Sequence, residues 1–373
     1  MAFDEKTAVI TNSLNCKGCG AALHFEPGTQ TLMCDHCGSS NEISTLDDHN
    51  TEPFAFDDFV ESIQSSTLDE GMQTVRCNNC GSTTVLKKNE TADKCPFCSS
   101  ALVVDLSDNQ KYVKPHYVLP FKVSQQMAKD QFLTWLKSLS FAPADLIAKV
   151  GNGASSPIDG VYLPYWVYDA NALTNYTGER GDYYYVTETY YETVDDEQVE
   201  RTREVRHTNW YSVFGNVANI FKNIIISASA SVSQETLNKL GAWDFSMLVK
   251  YDERYISGFR SETYQVSPQD GLERSKASMA PVIQRTIMQD IGGDEQRIDN
   301  SETELQEVMI KYVLLPIWIS SYVYKNKSYQ FAINGYTGQV SGKRPWSAGK
   351  IIMLIVIVLA VIAGIVMYFK NAG

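Results

Sequence analysis

The most hydrophobic stretch of the chain is its last. Residues 351–369, from Ile351 to Phe369, carry no charge and a single glycine, Gly364. At ~1.5 Å per residue a helix of this length nearly spans the ~30 Å hydrocarbon core of a bilayer. Lys350 and Lys370 bracket it, and Trp346 and Tyr368 fall where interfacial aromatic rings sit. A buried core helix would carry a polar stripe on one side, which this segment lacks. The pattern predicts one transmembrane helix that holds the chain in a lipid bilayer through Ile351–Phe369. Lys343, Arg344 and Lys350 precede it and only residues 370–373 follow. The positive-inside rule therefore predicts a single-pass cell-membrane protein with its N-terminal bulk in the cytoplasm and its tail across the bilayer.

Upstream the period changes. Residues 112–123 read as a strand interrupted by Pro115 and Pro120. Met127, Phe132, Trp135, Leu136 and Leu139 then form a helical stripe behind Ser124, a residue suited to capping. A second short helix is predicted at 143–150, ended by the loop Gly151-Asn152-Gly153. From residue 160 the pattern is that of strands. Residues 161–168 form one. Residues 183–194 and 199–210 alternate on either side of Asp195-Asp196-Glu197-Gln198, which predicts a long hairpin. Its Glu188, Glu192, Glu200 and Glu204 lie among Arg201, Arg203 and Arg206. That spacing suits cross-strand ion pairs on a wet face better than acid–base chemistry.

Residues 216–230 are weakly amphipathic. A short capped helix is predicted at 233–240 and a longer one at 267–291, broken at Pro281. Residues 303–315, 317–324 and 328–333 read as strands, the last two paired around Asn326. Val161-Tyr162-Leu163-Pro164-Tyr165-Trp166 is echoed by Val313-Leu314-Leu315-Pro316-Ile317-Trp318, and a Tyr-Thr-Gly turn follows each, at 176–178 and 336–338. The echo predicts two diverged α+β halves sharing one antiparallel sheet, with the prolines confined to strand starts or edges.

The candidate chemistry lies in the first hundred residues. Cys16, Cys19, Cys34 and Cys37 are repeated, 61 positions on, as Cys77, Cys80, Cys95 and Cys98, and these eight are all the cysteines of the chain. Two residues between cysteines let a tight turn bring both sulfurs to one side, and two such pairs make the tetrahedral set that Zn2+ prefers. Gly20 superimposes on Gly81, just behind a knuckle, where positive φ is needed. Gly28 and Asn89 fall near the tips of the intervening hairpins. This is the layout of a zinc ribbon, twice over, with two structural Zn2+ ions expected. Residues 1–15 contain no apolar signal core, so a reducing compartment is expected and disulfides are disfavoured. Four matched pairs do not suit a thioredoxin-type redox motif. An iron site of rubredoxin type uses the same ligands and stays open beside zinc. A closed four-thiolate shell leaves no position for a catalytic water.

Composition sharpens this picture. The chain of 373 residues is 44% hydrophobic and 11% aromatic, enough for a real core, and its formal charge is −12. Such a chain repels phosphate backbones unless a local patch overrides its charge. Residues 45–71 hold eight carboxylates and no lysine or arginine, which reads as an acidic linker. Within it, Phe54, Phe56, Phe59, Val60 and Ile63 are spaced for one amphipathic turn, a candidate docking peptide. The histidines (His24, His36, His49, His116 and His207) fall in no nucleophile motif, and the chain has no phosphate-binding Gly-x-x-x-x-Gly-Lys-Ser/Thr loop.

The cysteine quartets, together with residues 118–123, 160–168, 176–181, 291–296 and 314–346, resemble a family of uncharacterised bacterial membrane proteins. These carry TFIIB-type zinc ribbons and are often labelled by loose similarity to the zinc region of the primosomal helicase. The resemblance covers nearly the whole chain. It implies a membrane platform that recruits phage-shock-type or SPFH-like envelope-stress proteins. The chain thus reads as multi-domain, with two small four-cysteine zinc ribbons, an α+β domain dominated by antiparallel sheet, and one C-terminal transmembrane helix. The expected segments are ribbon one at 12–44, the acidic linker at 45–71, ribbon two at 72–106, the α+β domain at 107–342, a basic juxtamembrane segment at 343–350, the span at 351–369 and a tail at 370–373. The expected function is a non-enzymatic, membrane-anchored adaptor for protein partners. The alternative is a membrane-tethered nucleic-acid-binding protein using Lys87, Lys88 and Lys94 of ribbon two.

Overall fold

Three long antiparallel strands carry the fold. The computed structural model describes residues 14–43, 51–65, 113–150, 157–194 and 197–372, and the backbone of four short strands between residues 72 and 103. In chain order the elements begin with β1 (Leu23–Phe25), β2 (Thr31–Cys34), β3 (Ser40–Glu42), β4 (Phe54–Ala55) and α1 (Phe56–Ser65). The four short strands follow: β5 (Met72–Arg76), β6 (Thr83–Lys87), β7 (Ala92–Lys94) and β8 (Ala101–Val103). Then come β9 (Tyr117–Val118), α2 (Gln125–Ser138), α3 (Leu146–Lys149), β10 (Asp159–Val194), β11 (Glu197–Ser227) and α4 (Gln234–Asn238). The chain continues with β12 (Val249–Lys250), α5 (Glu253–Ile256), β13 (Arg260–Ser261), α6 (Pro268–Ile291), β14 (Glu295–Tyr324), β15 (Lys327–Asn334), β16 (Val340–Gly342) and α7 (Ala348–Ala372). The main sheet runs β11-β10-β14-β15-β16, and β4, β9, β12 and β13 pair off its flanks.

The near half of this sheet is buried on both faces, so its strands read as continuous apolar runs and not as alternation. Tyr162, Trp166 and Tyr168 of β10, with Tyr312, Leu314 and Trp318 of β14, face one core. Val161, Leu163, Tyr165 and Val167, with Val313, Leu315 and Ile317, face the other. In the first core, Phe121 sits between Phe259, Trp318 and Tyr162, with ring centroids 4.3, 4.9 and 5.1 Å away. Phe132 of α2 stacks on Phe331 at 3.8 Å.

The echoed segments face each other across a local two-fold. Leu163 pairs with its own counterpart Leu315, Pro164 with Leu314 and Tyr162 with Pro316. The same arrangement repeats outward. β13 runs parallel to Val161 and Tyr162 as β9 does to Val313 and Leu314. Trp166 donates its indole N–H to the Val266 carbonyl, and Trp318 donates to Val123, at 2.8 and 2.9 Å. One residue later, Ser267 caps α6 and Ser124 caps α2. Each half is therefore a short strand, a capped helix, a long strand and a returning strand.

Several expectations need correction. Pro164 and Pro316 lie inside central strands, not at starts or edges. Each points its ring nitrogen to the side where the neighbouring strand changes. β13 ends at Tyr162 and β11 begins its pairing at Tyr165, while β9 ends at Leu314 and β15 begins at Ile317. The missing N–H thus falls in a gap of the ladder, and each proline carbonyl still accepts a bond, from Ala228 and Gly335 respectively. Tyr176-Thr177-Gly178 is not a turn. It lies within β10, at a register shift between Thr177 and Gly178. Residues 216–227, read only as weakly amphipathic, lie in the second half of β11. Glu197 and Gln198 pair with Val194 and Thr193, so the hairpin turn is shorter than expected, and Asp195 and Asp196 lie outside the described residues. The helix α6 runs unbroken through Pro281. That proline is exposed, so the Ala277 carbonyl it strands can face water. Met279, Ile283, Ile287 and Ile291 form the stripe that packs on the sheet.

Beyond the pair Gly181–Glu295 the strand β14 ends its cover, and β10 and β11 continue alone from Asp182–Asn209 to Val194–Glu197. At roughly 3.3 Å per residue this two-stranded arm reaches about 40 Å past its neighbour. Arg203 bonds Glu188 at 3.1 Å and Arg201 bonds Glu192 at 2.8 Å across it, and Arg206 lies 4.2 Å over the Tyr183 ring.

At the other end of the chain, α7 is apolar and long enough to cross a membrane over Ala348–Phe369, and its apolar stretch is not buried against the described residues.

Candidate metal centre

The first cysteine quartet converges. β1, β2 and β3 form a small antiparallel sheet, and a bridge between Asn15 and Ala22 closes the turn before it. Two knuckles of the same construction hang from this sheet. Gly20 donates its N–H to the Cys16 carbonyl at 2.8 Å, and Gly38 donates to Cys34 at 2.9 Å. Both glycines have positive φ, +76° and +70°, which a side chain would strain. Gly28 turns the hairpin between β1 and β2 with φ of +81°.

The four sulfurs lie within 4.8 Å of one another. Cys16 and Cys37 approach to 3.5 Å, as do Cys19 and Cys34. None of the four is in a disulfide. A tetrahedral ion held at ~2.3 Å by four thiolates requires sulfurs ~3.8 Å apart, so the quartet fits one metal ion. Cys16 and Cys34 are buried and Cys19 and Cys37 face solvent, which places the centre at the rim of the core. The donor set is soft and complete, and suits a structural ion with no open position.

The electrostatics favour a cation there. The hydroxyl of Ser39 lies 3.0 Å from the Cys16 sulfur and 3.2 Å from that of Cys37. Its hydrogen bond, with N–H groups of Cys19 and Gly18, holds Cys16 at about 6, well below the ordinary thiol, and it lowers Cys37 in the same direction. Cys19 goes the other way, to about 12. The Ala21 N–H lowers it, but the surrounding sulfurs and burial outweigh that. Four sulfurs this close cannot all ionise without a positive charge among them.

The remaining predicted ligands, Cys77, Cys80, Cys95 and Cys98, lie outside the described residues, as does Gly81. His24 stays out of the quartet and reaches Asp35 instead, Nδ1 to Oδ2 at 3.3 Å. Ser39 was not read from the sequence as part of the site. Its signal was a serine two residues past a closing cysteine, which recurs as Ser82 and Ser100.

The ribbon is also fastened to the larger sheet. The N–H of Phe25 donates to the Ser257 carbonyl at 2.9 Å, the Ser257 hydroxyl donates to Leu23 at 2.6 Å, and the Gly28 N–H donates to Phe121 at 2.9 Å. The Phe25 ring meets Tyr255 edge-on at 5.5 Å. The acidic stretch behind the ribbon is docked as well. β4 pairs with Met309 and Ile310, and Phe59 of α1 is buried against Trp166 at 5.8 Å. The amphipathic turn expected there is a ten-residue helix whose apolar face meets its own chain.

The chain is similar to the Uncharacterized protein YdjG of Bacillus subtilis (strain 168). The two are 26% identical over 348 residues, which cover 91% of this chain and 92% of that protein. No family model and no solved structure matches the chain.

Proposed function

We propose that this protein is a membrane-anchored adaptor that recruits a protein partner, with a structural Zn2+ at Cys16, Cys19, Cys34 and Cys37 and a second at Cys77, Cys80, Cys95 and Cys98. The lipid bilayer holds α7, and the folded bulk stands on the cytoplasmic side. The observation that carries the adaptor role is the far end of the sheet. α6 covers one face there, meeting Ala172 and Tyr176 of β10 and Val217 and Phe221 of β11. The alternating residues Leu173, Phe214 and Ile220 point to the opposite face, which is open. Phe214 is 88% exposed and Ile220 74% exposed. The outer edge of β11 has no strand partner among the described residues, and the arm beyond it adds exposed Tyr185 and Tyr191. Exposed aromatic and aliphatic groups recurring along one face of a sheet are a mark of a protein-binding surface. The arm's Glu188 and Glu192 are engaged in ion pairs, which supports binding over acid–base catalysis.

Purification of the full-length protein from detergent-solubilised membranes tests this. The native chain is expected to carry a stoichiometric protein, of the phage-shock or SPFH-like class that the family resemblance implies. A Phe214→Ser/Ile220→Ser variant with unchanged zinc content is expected to lose it. A partner retained in full by the variant, or none on the native chain under any growth or stress condition, would end the adaptor reading.

A further inference from the structure

The end of the sheet that meets α7 gathers cations from three separate parts of the sequence. The turn after β14 and the start of β15 supply Lys325 and Lys327, α3 supplies Lys149, and the lead into α7 and its first turn supply Arg344 and Lys350. A groove here is lined by Tyr324, Lys325 and Lys327 together with Asp145 and Trp346. The ammonium groups of Lys149 and Lys325 each lie 5.5 Å from the Tyr324 ring, and the Arg344 guanidinium lies 3.9 Å over Trp346. Arg344 donates to the Ser140 carbonyl at 2.7 Å and Lys350 donates to Ala142 at 2.8 Å. These two bonds tie the start of α7 to the loop between α2 and α3. Asp145 is the one carboxylate lining the groove among the described residues. It is taken up by Lys149 at 2.8 Å and by the Tyr324 hydroxyl at 2.7 Å.

This clustering runs against the composition. A chain of net charge −12 gathers five cations at the end where its apolar helix leaves the fold, and the groove there is lined by two lysines and one carboxylate among the described residues. Lys325 also holds φ of +49°, a position where glycine or asparagine is less strained. The exposed Trp346 stands at the level of a bilayer interface if α7 spans it.

We propose that this end is a lipid-facing surface, on which the Lys325–Lys327 turn and Lys149 engage the phosphates of anionic phospholipids in the leaflet that α7 enters. The inference rests on α7 being the membrane anchor. Attraction at this end and repulsion of the acidic remainder act together, within a Debye length of ~10 Å at about 0.1 M salt, to hold the sheet in a fixed stance on the bilayer. The far end and its arm are then carried away from the membrane and do not swing against it.

The test is hydrogen–deuterium exchange of the full-length protein in lipid nanodiscs of phosphatidylcholine alone, or with about 30% phosphatidylglycerol, at about 50 mM and about 500 mM salt. Residues 324–328 and 143–149 are expected to exchange several-fold more slowly in the anionic discs at low salt. The difference is expected to vanish at high salt and in the Lys325→Asn/Lys327→Gln variant, which removes charge while easing the backbone. Equal exchange in both lipids, with the protein inside the discs, would overturn the inference alone. Recovery of the protein outside the discs would overturn the anchor and this inference together. Protection that persists in the variant, or at high salt, would also overturn it, because the lysine charges would then not be its source.

Discussion

At the scale of single residues, Cys16 joins two roles that are often separate. Its sulfur belongs to the quartet, and its side chain is buried in the core that Leu23, Phe25 and Cys34 share with the large sheet. Four-thiolate sites contribute roughly 10–16 kcal/mol to the folding of small zinc peptides. Here the contacts of Phe25 and Ser257 also fasten the ribbon to the large sheet. Cys16→Ser is therefore expected to lose one metal equivalent per chain by elemental analysis and to lower the Tm by about 5–10 °C. Unchanged metal content would contradict the assignment of the quartet. His116 offers a second residue-scale test. Its ring lies 4.2 Å from that of Phe54, its Nδ1 is enclosed without a hydrogen-bond partner, and burial lowers its pKa from 6.5 to about 4. Between those values the unfolded chain binds the proton and the folded chain does not. Stability is thus expected to be unaffected above about pH 6.5 and to fall as pH drops toward 4, by up to about 3 kcal/mol. Denaturant melts of His116→Phe should lack that part of the pH dependence.

At the scale of elements, the legible parts were those that repeat or carry a strict period. The quartet spacing, the caps at Ser124 and Ser233, the Leu-Pro-x-Trp echo and the apolar run of α7 were all readable from the chain. What was not legible depended on neighbours. Pro164 and Pro316 look like edge residues until the change of partner strand at each is known. Tyr176-Thr177-Gly178 looks like a turn, because no local signal shows that a strand of β10's length continues through it. The docking of α1 hinges on the sheet surface that Trp166 presents to Phe59, which the acidic stretch does not announce. Pro281 marks a break by propensity, yet the i, i+4 stripe from Met279 to Ile291 keeps the helix on the sheet. Pro281→Ala should accordingly restore the bond to Ala277 and stabilise the fold by roughly 1–3 kcal/mol in thermal or denaturant melts. A destabilised variant would mean that the proline has a packing role that its exposure hides.

At the scale of the whole molecule, β14 connects the two ends. It runs from Glu295 at the base of the arm to Tyr324 beside the lead into α7, so the sheet itself separates the arm from the membrane end. A single sheet buried on both faces near α7, and open on one face away from it, would on the adaptor reading hold a binding surface clear of a bilayer. The local two-fold accounts for the build. Two similar halves share the central strands, and the first half has extended its strand pair into the arm, while the second keeps the short β15 and leads into α7.

The measurement closest to this account is site-specific photo-crosslinking of the full-length protein in intact cells, with a photoreactive phenylalanine analogue at Tyr185, at Phe214, or at Leu133 on the outer face of α2. The account predicts a discrete crosslinked protein from positions 185 and 214 and none from 133. Crosslinks absent from the arm and open face, or no stronger there than at 133, would contradict it.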